Sequence, residues 1–192
     1  MRGGIVFVTL SIKKWTALTH NNPKIIFEDL QGAVAKQKIK ELSEKASTCF
    51  FCTDVKEGQP ISTRPMAIQK VDDDGTLWFL SSNDSNKNRE IAANPMVQLL
   101  FQGSTYSDFL HITGMATISE DRKKIKELWN PFLKVWFTGG EDDPRISVIK
   151  VDPVEGYYWD TKHNKVIVMA KRVIGALTGK TLDDSIEGNL SI

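Results

Sequence analysis

The chain has 192 residues, with 25 Lys and Arg against 24 Asp and Glu for a formal net charge of +1. That length lets one domain bury a core without disulfide or metal support, and the near-neutral balance gives no electrostatic case for nucleic acid or a membrane surface. No apolar run approaches the ~18 residues of a membrane span, and MRGGIVFVTL is followed by Lys13 and Lys14 rather than a cleavage site, which predicts a cytoplasmic protein.

Residues 1–25 read as an extension ending in the breaker Asn21-Asn22-Pro23, residues 26–180 as the folded domain, and residues 181–192 as a tail. From Glu28 to Lys45, Leu30, Val34, Ile39 and Leu42 recur at helical spacing, with Glu28 and Asp29 suited to the helix's positive end. Thr48 to Thr53 predicts a strand, and Asp54 to Gly58 a turn into a second strand from Pro60, completing a first hairpin. Cys49 and Cys52 sit three apart in that first strand, so they face opposite ways and are predicted to be buried thiols rather than a pair. His20, His111 and His163 are scattered singly, without zinc-site spacing.

The stretch from Pro60 to Glu90 carries the most chemistry. It predicts a strand, an acidic turn at Asp73-Asp74-Gly75, a strand from Thr76 to Leu80, and a helix start. Ser62, Arg64, Met66 and Ile68 share one face of the first strand. An antiparallel hairpin between these two strands would bring Arg64 towards Ser81 and Ser82, where Ser82, Asn83 or Asp84 can cap the following helix and Lys87 lies one turn in. Two readings fit: an edge-strand arginine, a plain serine cap and a solvated lysine, or one phosphate site. The chain contains no Gly-rich phosphate loop.

Asn86 to Ala93 predicts a short helix that Asn94-Pro95 ends. Met96 to Gln102 predicts an apolar strand whose Gln98 amide needs a partner, either backbone or ligand. Asp108 to Ser119 predicts another strand, with a bulge or close approach at Gly114. Glu120 to Phe137 turns helical, with Ile125, Leu128, Trp129, Phe132 and Trp136 as its apolar side and a second short turn starting at Pro131. A loop at Thr138 to Pro144 leads into a strand from Arg145 to Val151. Gly156 to Asp160 then adds an aromatic cluster that suits core, interface or ligand stacking, and the tail from Val173 reads as helix-like before fraying. Short strands joined by turns too tight for crossovers argue for a mainly β fold with flanking helices, a six- or seven-stranded split β-barrel, and against a doubly wound sheet.

Arg64-Pro65-Met66, the acidic turn, Leu77-Trp78-Phe79-Leu80-Ser81-Ser82, Lys87, Asn94-Pro95 and Gln98 resemble the pyridoxamine 5'-phosphate oxidase-like FMN-binding split barrels. The run LWNPFLKVWFTGGEDDP from Leu128, with Tyr158-Trp159-Asp160, is similar to the general stress protein 26 branch. The resemblance covers residues 28 to 180. It implies a homodimer holding FMN at the subunit interface. By position, Arg64 and Lys87 would hold the phosphate with Ser81 and Ser82, with Pro65 beside them. Met66 and Leu80 would line the isoalloxazine ring, Gln98 would meet its polar edge, and Trp136 and Trp159 are candidates for an aromatic wall, from either chain. It implies an FMN-binding flavoprotein of the general stress protein type, which as an enzyme would be an FMN-dependent oxidoreductase acting on an unknown small molecule. The alternatives are a non-catalytic flavin-binding or sensing module, and a pocket for another phosphorylated planar ligand, deazaflavin or haem-related. An authentic pyridoxamine phosphate oxidase carries a basic, aromatic C-terminal segment, where this sequence reads KTLDDSIEGNLSI, so that oxidation is not expected.

Overall fold

The computed structural model of the chain describes residues 26–56, 58, 60–105, 107–161 and 185–192. The predicted N-terminal extension, His20, His163 and the helix predicted from Val173 lie outside them. The described elements are β1 (Ile26–Phe27), β2 (Leu30–Gln31), α1 (Gly32–Ala46), β3 (Thr48–Thr53), β4 (Ser62–Ala67), β5 (Lys70–Val71), β6 (Leu77–Ser82), α2 (Asn86–Ala93), β7 (Met96–Gln102), β8 (Phe109–Ser119), α3 (Arg122–Leu128), β9 (Ile146–Thr161) and β10 (Ser185–Ser191). Seven of these strands are six residues or longer, and β1, β2 and β5 have two residues each. The fold is mainly β with flanking helices, a split barrel.

β9 divides the sheet. One flank of it pairs with β8 along Val148–Trp159, while the other pairs with β6 over Ile146–Val151 and then with β10 over Glu155–Thr161. From β8 the order continues through β7 and β3 to β4. From sequence, the strand ending at Val151 is separate from the aromatics at Gly156, whereas β9 runs unbroken through Pro153, which has no ladder donor. Pro153 instead falls opposite Gly114, at the register shift between Thr113 and Gly114. The bulge expected at Gly114 is there, and a Cβ would stand 2.8 Å from the Asp152 carbonyl oxygen. A side chain at this point would push β8 off β9.

The main core gathers the inner faces of β3, β7, β8 and β9 against Ala35, Ile39 and Leu42 of α1. Val34, expected on the buried stripe, is 60% exposed. The helix starts four residues later than predicted, because Gly32 takes a positive φ of 55° and Leu30–Gln31 is drawn into parallel pairing with Leu190–Ser191. Asp29 therefore accepts from the Asn189 backbone instead of flanking the helix start. The same pairing overturns the frayed end predicted for the tail, since Ser185–Ser191 forms β10 against β9. At Gly188 the chain passes so close to the Glu28 carbonyl that no side chain could fit.

A second cluster joins Leu80, Ile146 and Val148 to Ile125 and Leu128 of α3 and to Leu133 and Phe137 beyond it. Pro131 opens a short 3-10 helix, Pro131–Val135, as expected. Its tighter winding of about 3.0 residues per turn carries Leu133 inward and leaves Phe132 and Trp136 outside, against the helical stripe read from sequence. Asp143 locks the loop that follows by accepting from the Arg145 Nε and Nη2 at 3.0 and 2.7 Å.

The predicted hairpin of the Pro60 and Thr76 strands does not form. The strand ends at Ala67. β4 pairs with β3, and the acidic turn joins β5 to β6, with Gly75 at φ 86° donating to the Asp72 carbonyl.

Candidate functional site

β4 and α2 meet at a shallow, open cleft of about 460 Å³ lined by Ser62, Thr63, Arg64, Ser85, Asn86, Lys87 and Glu90. Arg64 and Lys87 thus converge, although not through the hairpin expected of them. Arg64 lies opposite Phe51 on the inner face of the sheet at its β4 edge. Its Nη1 donates to the Thr53 hydroxyl at 2.6 Å and its Nη2 to the Glu90 carboxylate at 2.7 Å, while the Thr53 hydroxyl also donates to Glu90. The Thr53 hydroxyl, with the guanidinium, holds the Glu90 carboxyl below its ordinary value.

Lys87 differs in having no hydrogen bond or salt bridge with the described residues. Burial, and then the neighbouring guanidinium of Arg64, lowers its ammonium pKa. A half-buried ammonium beside a second cation, at the amino end of a helix, fits an anion with more than one negative charge.

The helix cap is Ser85 rather than Ser82, Asn83 or Asp84, and its hydroxyl accepts from the Asn88 backbone. Ser81 is buried and donates to the Asn88 side-chain oxygen at 2.8 Å, whereas Ser82 donates to Asp84 at 2.5 Å. Asn88 in turn donates to the Ser147 hydroxyl at 2.8 Å. The two serines singled out by sequence hold the start of α2 in place, and the cleft itself is lined by Ser85. Ser85, Glu90 and Thr53 were missed as site residues. A usable signal existed in the one-turn spacing of Lys87 and Glu90, which puts both on one side of α2.

The remaining residues divide between two surfaces. Met66 packs in the main core and Leu80 in the second cluster, so they do not share a wall. Pro65, Gln98 and Trp159 belong to the outer face of the sheet. There Pro65, Phe50, Leu100, His111 and Tyr157 run in register across β4, β3, β7, β8 and β9. Phe50 is 57% and Leu100 42% exposed, an apolar stripe facing solvent. Gln98 lies one row away between Cys52 and Thr113, and its amide has no partner among the described residues. Trp159 packs against Tyr157 with ring centroids 4.6 Å apart. Trp136 stands apart, exposed on the 3-10 helix.

Cys49 and Cys52 are free and buried, and burial pushes the Cys49 thiol up to about 12, which leaves it unreactive. Among the described residues no group of His, Cys, Asp and Glu could hold a metal ion. None of their helices is long and apolar enough to cross a membrane.

The sequence profile described as "Pyridoxamine 5'-phosphate oxidase like" matches residues 34–183. The chain belongs to this family. It is 32% identical over 157 residues to Protein bli-3 of Neurospora crassa, covering 75% of each chain. Among solved structures it is similar to the general stress protein 26 of Bacillus anthracis str. Sterne, at 27% identity and a TM-score of 0.55, covering 64% of this chain and 92% of that one. A candidate general stress protein 26 from Jannaschia sp. CCS1 shares the fold, with a TM-score of 0.67 at 22% identity over 81% of this chain and 97% of the other. These likenesses place the chain in the general stress protein 26 branch of the family.

Proposed function

We propose that the protein is an FMN-binding flavoprotein whose Arg64–Lys87 cleft holds the cofactor phosphate. The half-buried ammonium of Lys87, which makes no salt bridge with the described residues and stands beside the Arg64 guanidinium, carries this reading, because a phosphate monoester supplies the close anion that Lys87 lacks and can share it with Arg64. Membership of the pyridoxamine 5'-phosphate oxidase-like family supports flavin over other phosphorylated ligands. Bound flavin supplies electron-transfer chemistry to a small molecule, and the chain binds, orients and shields it.

In this reading the protein is a cytoplasmic homodimer. The outer sheet face with Phe50, Leu100 and Tyr157 is the seam, an apolar patch that a partner would remove from water. Gln98 lies within that face, its amide open to the polar edge of a flavin at the interface. The free thiols fit a reducing compartment.

The test is the visible spectrum of the purified protein, followed by titration of FMN and riboflavin against flavin fluorescence. Saturable quenching with a clear preference for FMN supports the assignment. Equal affinity for the two removes the phosphate site, and no binding of either removes the flavin.

A further inference from the structure

The cleft contains an anion of its own. Glu90 touches Arg64 through a single oxygen, Oε2, at 2.7 Å, and both side chains are partly exposed, at 20% and 24%. An arginine offers a carboxylate two parallel bonds, and only one is made here. The second Arg64 contact goes to Thr53, which is fully buried on β3 and whose hydroxyl in turn donates to the same Glu90 oxygen, so the guanidinium keeps one fixed acceptor if the carboxylate moves.

We propose that Glu90 is a built-in competitor for the Arg64 guanidinium, which a phosphate monoester must displace on binding. The inference rests on the phosphate reading of the cleft and adds its regulation. A dianion seated between Arg64 and Lys87 would stand beside the Glu90 carboxylate in a partly desolvated site, where like charges repel strongly. Glu90 has another donor to turn to, since Ser62 already lies within hydrogen-bonding reach of it and lines the same open cleft. Thr53 keeps Arg64 aimed while the carboxylate leaves. Occupancy is therefore an exchange of one anion for another, and it holds the affinity of the cleft for phosphate groups below what two free cations would give.

The alternative role for Glu90, a support that aims Arg64 at the ligand, predicts the opposite sign. Glu90→Gln keeps the acceptor and removes the charge. As a competitor, its loss should tighten FMN by roughly tenfold or more and leave riboflavin within about twofold, read by fluorescence titration of the full chain. Should Glu90→Gln fail to fold, Glu90→Asp draws the carboxylate back by one methylene and should tighten FMN in the same direction. Unchanged or weaker FMN binding with riboflavin unaltered overturns the inference while the wild-type preference for FMN leaves the phosphate site standing. A parallel loss of both ligands also overturns it. Wild-type protein that does not distinguish FMN from riboflavin sinks the phosphate reading and this inference together.

Discussion

Asn88 on α2 donates its side-chain amide to the hydroxyl of Ser147 on β9 at 2.8 Å, and that hydroxyl donates to the Ser81 carbonyl at 3.1 Å. All three side chains are buried, so the helix that carries Lys87 is fixed to the sheet by polar contacts that water cannot replace. Asn88→Ala should cost about 1–3 kcal/mol, because it removes two buried side-chain hydrogen bonds, from Ser81 and to Ser147. Urea denaturation measures the loss. Wild-type stability in the variant would mean that apolar packing alone seats α2.

Arg64→Ala combined with Lys87→Ala should weaken FMN on the order of 100-fold, from the loss of two charge-assisted contacts, and leave riboflavin binding nearly unchanged. Circular dichroism should show the fold intact. Flavin released from the purified variant at wild-type occupancy would place the phosphate elsewhere.

If the outer sheet face is the seam of a dimer, a cation at its centre should split it. Leu100→Lys places an ammonium in register with Phe50 and His111, where a partner would bury it. Sedimentation velocity should show the variant as a monomer. Persistence of a wild-type dimer would assign the seam to another surface.

The Asp143–Arg145 clasp gives a pH dependence. The Arg145 side chain, which bonds both carboxylate oxygens, holds the Asp143 carboxyl well below the ordinary carboxylate value. A carboxyl depressed in the folded state stabilises above its unfolded value of about 4, and that contribution fades as pH falls towards the folded value. Asp143→Asn should therefore lower the melting temperature at pH 7, with a gap from wild type that narrows below about pH 4. A gap of constant size across that range would assign the effect to packing.

Local order was legible wherever one short-range cause dominates. A nearly continuous apolar run marked β7, Asn94-Pro95 ended α2, and Pro131 opened a turn, because each rests on neighbours in sequence. Partner choice was legible only where a short turn joins neighbours, as in the β3–β4 hairpin. The sequence also offered the Pro60 strand to the Thr76 strand, and nothing local reveals that β9 claims β6 instead. Arg64 and Lys87 could be named from charge and position. Thr53 and Glu90, which determine what Arg64 does, are brought to it only by the β3–β4 pairing and the docking of α2.

The parallel pairing of β1 and β2 with β10 has a kinetic consequence. Asp29 and the Asn189 amide it accepts from are separated by 160 positions, and the other contacts along this edge span similar lengths. On a ribosome the segment from Ile26 to Gln31 emerges early and has no strand to join until almost all of the sequence has followed. Its closure spends a large loop entropy, over about 160 positions, for only a few backbone bonds. The edge should zip last in folding and open first in native-state hydrogen exchange, a latch on a sheet that is otherwise already assembled.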